Sequence, residues 1–252
     1  MGILTKSDFK LVAQSVKQAI LAHANDFLSL LYPDTCIGCN TVLLGAEKHA
    51  CLNCILALPL LNNYFDTGNP VINRMAEHAD VDAAFAYMNF VNGGISQKLV
   101  HALKYKGKKQ VGVWLGIQFG HAIMRQASGI TTYDLVLPVP LHANKQKKRG
   151  YNQSDLIAEG IALSLGIPVS QGLLIRTLNT ETQTHKSREQ RKENVRAAFA
   201  VPGSSAISGK SILLTDDVFT TGATAGTCVR VLLEAGAKSV SVAALAYAGQ
   251  ND

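Results

Sequence analysis

The chain has 252 residues, of which 47% are hydrophobic and 17% charged, a composition that supports a substantial core and excludes a broadly disordered protein. Its net charge of +6 is unevenly placed, because residues 98–196 contain 16 Lys and Arg against 6 Asp and Glu. This central excess predicts a positive surface for a strongly anionic small molecule, a nucleic acid or both, with a merely solvated basic surface as the alternative.

Residues 1–31 have the apolar spacing of an amphipathic helix, interrupted by charged and amide side chains in a way that argues against a secretory signal. We expect this helix to pack on the body of the chain, with a membrane surface or a partner protein as the alternative. No apolar run reaches the roughly 18–20 residues of a membrane span. We therefore expect a cytoplasmic protein that is not integral to a membrane.

Residues 32–58 contain two Cys-x-x-Cys pairs separated by eleven residues, which we interpret as a small zinc-knuckle module. Four thiolates at this spacing can complete a tetrahedral Zn²⁺ site. The zinc would be structural and would hold together a segment too small for its own core, while a redox dithiol or an iron–sulfur centre is the alternative. Disulfides are not expected without an export signal. The predicted metal ligands are Cys36, Cys39, Cys51 and Cys54.

Residues 59–80 are rich in Pro, Asn and Gly and are interpreted as a linker, after which strands and helices alternate from 81 to 252. This alternation predicts an α/β domain with an open, mainly parallel sheet flanked by helices. The predicted strands cover 81–91, 135–139, 172–178, 212–214 and 240–245, and the predicted helices cover 96–105, 111–126, 154–165 and 223–236.

The segment from Ser211 to Thr224 carries the strongest functional signal. An apolar strand ends in Asp216 and Asp217, and a loop, Thr220–Thr224, leads into a helix. A helix start attracts phosphate through unpaired N–H groups and its dipole, the threonines add hydroxyl donors, and Gly222 permits a close approach. Two carboxylates beside a phosphate-binding loop can accept hydrogen bonds from sugar hydroxyls or hold a hydrated Mg²⁺. A sugar phosphate would therefore satisfy both the acid pair and the loop. The alternative is a capped helix that binds nothing.

Two further loops follow predicted strands, and ligands of open α/β sheets bind at such strand ends. The first, residues 137–153, has two prolines at the strand exit and four cations, and we predict that it holds a pyrophosphate. The second, residues 176–199, is long, polar and Arg-rich, and we interpret it as a lid. Basic surface segments are the alternative for both. The predicted ligand contacts are Pro140, Leu141, Lys145 and Arg149 in the first loop and Arg188 in the second.

The strand, acid pair and threonine-rich loop resemble the phosphoribosyl pyrophosphate (PRPP) signature of type I phosphoribosyltransferases. This resemblance implies that Asp216 and Asp217, the candidate catalytic residues, hold the ribose hydroxyls. It also implies that the loop residues bind the 5′-phosphate, with Mg²⁺ accompanying PRPP. The implied phosphate contacts are Thr220, Thr221, Gly222, Ala223 and Thr224.

The order of the motifs over about residues 32–248 resembles the competence protein F (ComF) family. The motifs are the cysteine knuckle, Leu-Lys-Tyr-Lys-Gly107, Pro-Val-Pro-Leu141, Arg-Gly-Tyr-Asn-Gln153, Asn-Val-x-x-Ala-Phe199 and the acid-pair loop. This resemblance implies a role in natural transformation, the uptake of single-stranded DNA at the inner face of the membrane, with a DNA-translocating helicase as partner. Two hypotheses remain: a phosphoribosyltransferase of unknown acceptor, and a non-catalytic module that binds single-stranded DNA or senses PRPP.

Overall fold

The computed structural model describes residues 32–66, 68–104, 108–126, 132–177 and 198–249. The chain divides into two compact units, residues 1–57 and residues 58–252. The predicted N-terminal helix, residues 1–31, and most of the predicted lid, residues 178–197, lie outside the described residues.

The described part of the first unit has very little buried apolar surface. Its buried hydrophobic side chains are Cys36, Ala50 and Cys51. One short helix, α1 (Leu52–Leu56), has no buried residue. Since this part of the chain lacks an aliphatic core of its own, other interactions must hold its turns in place. Its large exposed hydrophobic side chains are Tyr32, Val42, Leu44, Leu52 and Leu56.

The second unit is built on a four-stranded parallel sheet in the order β1–β6–β5–β2. The strands are β1 (Ala84–Asn89), β2 (Leu135–Pro138), β5 (Ser211–Phe219) and β6 (Ser239–Tyr247), and β3 (Ile175–Arg176) pairs with β4 (Phe199–Ala200) in a separate antiparallel ribbon. The helices are α2 (Pro70–Met75), α3 (Ile95–Ala102), α4 (Lys109–Gln126), α5 (Ala143–Arg149), α6 (Gln153–Leu165) and α7 (Ala223–Glu234). The predicted fold class, an open parallel sheet flanked by helices, is confirmed.

Side chains of the sheet alternate between two apolar layers, as a strand covered on both faces requires. On one face Phe85 of β1 meets Phe119 of α4, with ring centroids 6.0 Å apart. On the other face, Ala84 and Ala86 belong to the cluster that α2 and α7 cover. Apolar side chains therefore cover both faces of the sheet, as in a single α/β domain.

Helices α4 and α6 cross in unusually close contact. Gly116 and Gly160 face each other at the crossing, and a Cβ on Gly160 would collide with the carbonyl of Val113. Gly112 and Gly120, one turn to either side of Gly116, similarly lie against Leu156 and Ser164. This row of glycines fixes α6, whose first turn contributes to the candidate site described below.

The predicted linker, residues 59–80, is in part ordered structure. Asn69 caps α2 by accepting a hydrogen bond from the N–H of Val71 at 2.8 Å, and Pro70 occupies the first helical position. The Asn69 amide also donates to the carbonyl of Ala84 in β1, at 2.8 Å, while Met75 is fully buried. The Asn-Pro pair that suggested a breaker is thus a helix start, a use to which both residues are equally suited.

Three further elements differ from the sequence-based prediction. Strand β5 continues through the acid pair to Phe219, because β6 pairs with it along its whole length. Strand β3 is only two residues long. The basic stretch predicted as a loop contains α5, which His142 caps and which ends at Gly150 in the left-handed conformation (φ 83°). Lys, Gln and Arg favour helices, and basic residues in a last turn stabilise the helix dipole.

Candidate functional site

The candidate site lies where two neighbouring strands end at different heights. Strand β2 stops at Pro138, opposite Thr215, and the N–H of Val139 donates to the Thr215 carbonyl at 2.8 Å. Beyond this point β5 continues for four residues with β6 as its only strand neighbour among the described residues. Asp216 and Asp217 lie on this extension, at the carboxyl edge of the sheet, where parallel α/β proteins bind ligands.

Backbone N–H groups of β5 itself hold the two carboxylates in place. Asp216 Oδ1 accepts the N–H of Asp217 at 2.8 Å and the hydroxyl of Ser154 at 3.2 Å. Asp217 Oδ1 accepts the N–H of Val218 at 2.8 Å. Burial raises the pKa of Asp216, and the charge of Asp217 raises it further, against the opposing effect of the N–H and hydroxyl donors. The pair therefore favours a state with at most one negative charge until a cation or a set of hydroxyl donors arrives.

The predicted phosphate loop forms a small cradle next to Asp216. Helix α7 is preceded by Gly222, which has φ 83° and no side chain to cap the first-turn N–H groups. Within that turn, the N–H of Ala223 donates to Thr221 Oγ1 at 3.4 Å. A cavity of about 50 Å³ lies here, bordered by Asp216 and by the loop. All five predicted phosphate contacts line this cavity: Thr220, Thr221, Gly222, Ala223 and Thr224. Asp217 does not line it.

His78, which the sequence did not single out, supports this loop from outside. Its Nε2 lies 2.7 Å from the Thr221 carbonyl, and since a carbonyl can only accept, Nε2 carries the proton. A Cβ on Gly226 would come within 2.5 Å of the His78 Cβ, so glycine is needed for this approach. The Arg230 guanidinium donates in turn to the His78 carbonyl. No local pattern could have revealed a partner 143 residues away from the loop.

Asn152 organises the start of α6. Its amide nitrogen donates to the Val139 carbonyl at 3.0 Å and to Asp155 Oδ1 at 2.7 Å, and its oxygen accepts the N–H of Ser154 at 3.3 Å. The preceding Tyr151 donates its hydroxyl to the Leu103 carbonyl at 2.7 Å. The Arg-Gly-Tyr-Asn-Gln motif is therefore largely a positioning device, which places Ser154 and Asp155 beside the sheet edge.

A second, larger cavity of about 280 Å³ lies at the end of β2. The turn after β2, α5, the first turn of α6 and the segment before and within β3 form its walls. Two of the predicted pyrophosphate contacts, Pro140 and Leu141, line it. Lys145 and Arg149 lie on α5 but line neither cavity, and Arg149 donates to Gln153 Oε1 at 2.9 Å. Arg188 lies outside the described residues.

The four predicted metal ligands of the first unit converge. Their Sγ atoms all lie within 4.8 Å of one another, and the Cys39 and Cys51 sulfurs are 3.6 Å apart. A tetrahedral zinc–thiolate site with Zn–S bonds of about 2.3 Å has sulfur–sulfur edges of about 3.8 Å. The set of donors and its dimensions therefore fit a metal ion such as Zn²⁺. The converging residues are Cys36, Cys39, Cys51 and Cys54.

Hydrogen-bond donors prepare two cysteines of this cluster, Cys36 and Cys39, for negative charge, whereas burial raises the pKa of Cys54 to about 12. The N–H groups of Gly38 and Cys51 donate to Cys36 Sγ at 3.3 and 3.2 Å. Burial raises the pKa of Cys36, but its N–H donors outweigh burial and leave the pKa below its ordinary value. Hydrogen bonds from Thr41 lower the pKa of Cys39 to about 6. Thiolates held in this way are the form that binds metal.

Among the residues that the structure describes, no helix is both long enough and apolar enough to cross a lipid bilayer.

Comparisons with known proteins give a consistent set of relatives, although no family model matches the chain. The DNA utilization protein YhgH of Salmonella typhi is 32% identical over 146 residues, which cover 57% of this chain and 63% of the relative. Competence protein F of Haemophilus influenzae is 34% identical over 116 residues, which cover 46% of this chain and 51% of the relative. The chain thus spans less than two thirds of either relative.

Among solved structures, similarity is found to the glutamine phosphoribosylpyrophosphate amidotransferase of B. subtilis complexed with ADP and GMP. The TM-score is 0.42 at 23% identity, with 59% of this chain and 30% of that chain covered.

Proposed function

We propose that the chain is a PRPP-binding, phosphoribosyltransferase-like protein of the family of competence protein F and the DNA utilization protein YhgH, to which it is similar in sequence. We further propose that it acts in natural transformation, in the uptake or use of DNA. One observation carries the ligand assignment: Asp216 and the whole loop from Thr220 to Thr224 border a single phosphate-sized cavity at the carboxyl edge of the sheet.

Each part of the site has a role in this proposal. The loop hydroxyls and the first-turn N–H groups of α7 hold the 5′-phosphate. Asp216 and Asp217 accept hydrogen bonds from the ribose hydroxyls, and Ser154 and His78 keep the carboxylate and the loop in place. When bound, Mg²⁺ supplies positive charge to the pyrophosphate group. The cations of α5, Lys145 and Arg149 among them, add to the positive potential at this edge.

Calorimetric titration with Mg²⁺-PRPP tests the assignment. We expect the wild type to bind and Asp217→Asn to lose roughly 10- to 150-fold in affinity, because a hydrogen bond to a charged group contributes about 1.5–3 kcal/mol. The matched control is Asp134→Asn, immediately before β2, where the carboxylate accepts the N–H of Ser211, the first residue of β5, at 2.8 Å. Equal binding by wild type and Asp217→Asn, or no binding by the wild type, would contradict the proposal.

Turnover is a separate question from binding. Release of pyrophosphate in the presence of an acceptor would make the protein a transferase, and binding without release would make it a PRPP sensor. The four-cysteine cluster lies in the other unit and has, in this proposal, a structural role as a zinc site.

A single-stranded DNA-binding function is favoured by a different observation, the surface of α5. This helix has the sequence Ala-Asn-Lys-Gln-Lys-Lys-Arg, has no acid and exposes its three lysines. Clustered exposed cations of this kind can bind the phosphate backbone of a nucleic acid independently of its sequence. A DNA-translocating helicase would then be a partner in supplying the strand.

We expect oligonucleotide binding to weaken steeply with salt, and the double variant Lys147→Ala/Lys148→Ala to bind several-fold more weakly with a shallower salt slope. Fluorescence anisotropy at several salt concentrations measures both quantities. Lys238→Ala, next to the amino end of β6, is the control, and Asp217→Asn should bind DNA as the wild type does. An unchanged slope in the double variant would remove α5 from the DNA-binding surface.

A further inference from the structure

The peptide between Thr221 and Gly222 can present either of two groups to a ligand of the phosphate loop. In a planar trans peptide the carbonyl and the N–H point in opposite directions, so only one of them can face the cavity. A phosphate accepts hydrogen bonds, and it is therefore attracted by the Gly222 N–H and repelled by the Thr221 carbonyl oxygen. Across the described residues no hydrogen bond uses the Gly222 N–H, so this donor is available to a ligand.

Glycine at position 222 does not by itself choose between the two orientations. Gly222 has φ 83°, and rotation of the preceding peptide by half a turn would carry φ to a negative value. Glycine adopts both signs of φ about equally well, whereas most other residues are confined to negative φ. The residue that lets the loop approach a ligand closely therefore also lets the loop present a carbonyl to it. Another contact must select the orientation.

His78 provides that contact. Its Nε2 donates to the Thr221 carbonyl at 2.7 Å, which holds this oxygen turned towards the imidazole. His78 does not border the cavity of the loop, and the Gly222 N–H, on the opposite side of the peptide, points away from His78. A Cβ on Gly222 would lie 3.1 Å from His78 Cδ2, so the ring also packs directly against this glycine.

The backbone of His78 is itself fixed by α2 and α7. Its N–H donates to the carbonyl of the fully buried Met75 at 2.8 Å, and its carbonyl accepts a hydrogen bond from the Arg230 guanidinium. Arg230 also donates to the Thr227 hydroxyl at 3.3 Å, and that hydroxyl donates to the Ala223 carbonyl at 2.9 Å. The imidazole is therefore carried by a rigid support that is connected to the first turn of α7.

Resting on the function proposed above, we propose that His78 is a positioning residue, which keeps the Gly222 N–H turned towards the ligand's 5′-phosphate and so sets the affinity of the loop for it. The role requires a donor at position 78 rather than an imidazole. Glutamine has an N–H donor at the end of its side chain and should replace histidine. Methionine has a side chain of similar length without a donor and should not.

Calorimetric titration with ribose 5-phosphate, which carries the phosphate without the pyrophosphate, tests this role. We expect His78→Met to bind about tenfold or more weakly than the wild type, because a carbonyl can replace a charge-assisted N–H donor at the phosphate. His78→Gln should bind within about threefold of the wild type. His121→Leu, at an exposed position of α4, is the control and should bind as the wild type does. Mg²⁺-PRPP should follow the same order.

Nuclear magnetic resonance gives a direct signature of the peptide orientation. In a chain labelled with ¹³C-carbonyl threonine and ¹⁵N-glycine, only the peptides Thr67–Gly68 and Thr221–Gly222 contain both labels. In the wild type, the Gly222 amide proton should move downfield when ribose 5-phosphate binds, as an N–H that donates to a phosphate does. This shift should be absent in His78→Met and present in His78→Gln, while an unchanged Gly68 signal reports an intact fold.

The outcomes separate this role from the function on which it rests. Equal binding by His78→Met and the wild type, or failure of His78→Gln to restore binding, would overturn the role of His78 and leave the PRPP assignment standing. Weaker binding by His78→Met with an unchanged Gly222 shift would also overturn it, since His78 would then support only the packing of the loop. A wild type that binds neither ribose 5-phosphate nor Mg²⁺-PRPP would overturn the proposed function, and the role of His78 with it.

Discussion

Replacing Asp216 by Asn should stabilise the fold at neutral pH and weaken PRPP binding at the same time. An asparagine oxygen can still accept the Ser154 hydroxyl and the Asp217 N–H, so neither hydrogen bond is lost. What is removed is the cost of a carboxyl group that is ionised in the unfolded chain but must take up a proton to fold at neutral pH, which for a raised carboxyl pKa is on the order of a few kcal/mol. Sites built for ligands commonly carry such a cost.

The difference in stability between Asp216→Asn and the wild type should depend on pH, and the raised pKa of Asp216 determines its sign. Burial and the neighbouring charge raise the pKa of Asp216 to about 8, while in the unfolded chain an aspartate titrates near 3.9. Below about pH 4 both states are protonated, and the variant should match the wild type. As the pH rises from about 4 to about 8, only the unfolded state ionises freely, so the wild type loses stability and the advantage of the variant grows.

Urea unfolding of both proteins at pH 4.5, 6, 7 and 8 measures this difference, with Asp134→Asn as the control. Over the same range, wild-type affinity for Mg²⁺-PRPP should rise with pH more steeply than that of Asp216→Asn, because binding requires the carboxylate. The variant should bind roughly 10- to 150-fold more weakly near pH 8. A variant less stable than the wild type at pH 8 would show that Asp216 is ionised and favourably paired in the fold.

The sequence was sufficient to predict the parallel sheet, because strands covered on both faces are apolar throughout and the helices between them keep a helical period. It did not indicate how far β5 extends, since Asp216 and Asp217 disfavour strands and only pairing with β6 holds them there. It also concealed α5, because a basic run next to two prolines is as typical of a loop as of a helix.

Some residues of the candidate site could be predicted from the sequence, and others could not. Residues that act as neighbours along the chain, such as Thr220 to Thr224, are visible as a motif and border one cavity. Residues that reach the site through tertiary structure are not visible: Ser154 meets Asp216 from 62 positions away, and His78 meets the loop from 143. Their partners depend on the α4–α6 crossing and on the packing of α7, which no single-sequence pattern encodes.

Replacing Cys36 by Ser should remove the bound metal completely and unfold the four-cysteine unit. Of the four cysteines, Cys36 is fully buried and receives N–H groups from Gly38 and Cys51, so its loss breaks the site and its support together. Structural zinc sites contribute about 10–16 kcal/mol of binding free energy at pH 7, and this unit has little apolar core to compensate. We expect one zinc per wild-type chain and none in the variant, measured by plasma mass spectrometry.

The matched control is Cys228→Ala, which removes a buried thiol of α7 outside the cluster and should leave the zinc content at one. Limited proteolysis should cut Cys36→Ser, or wild type treated with a chelator, within residues 32–57, while the fragment from 58 onward stays resistant. We expect this difference in protease resistance because the chain forms two compact units, each held by different interactions. Full zinc content in Cys36→Ser would exclude a tetrathiolate site, and resistance of residues 32–57 after chelation would show that the metal does not hold their fold.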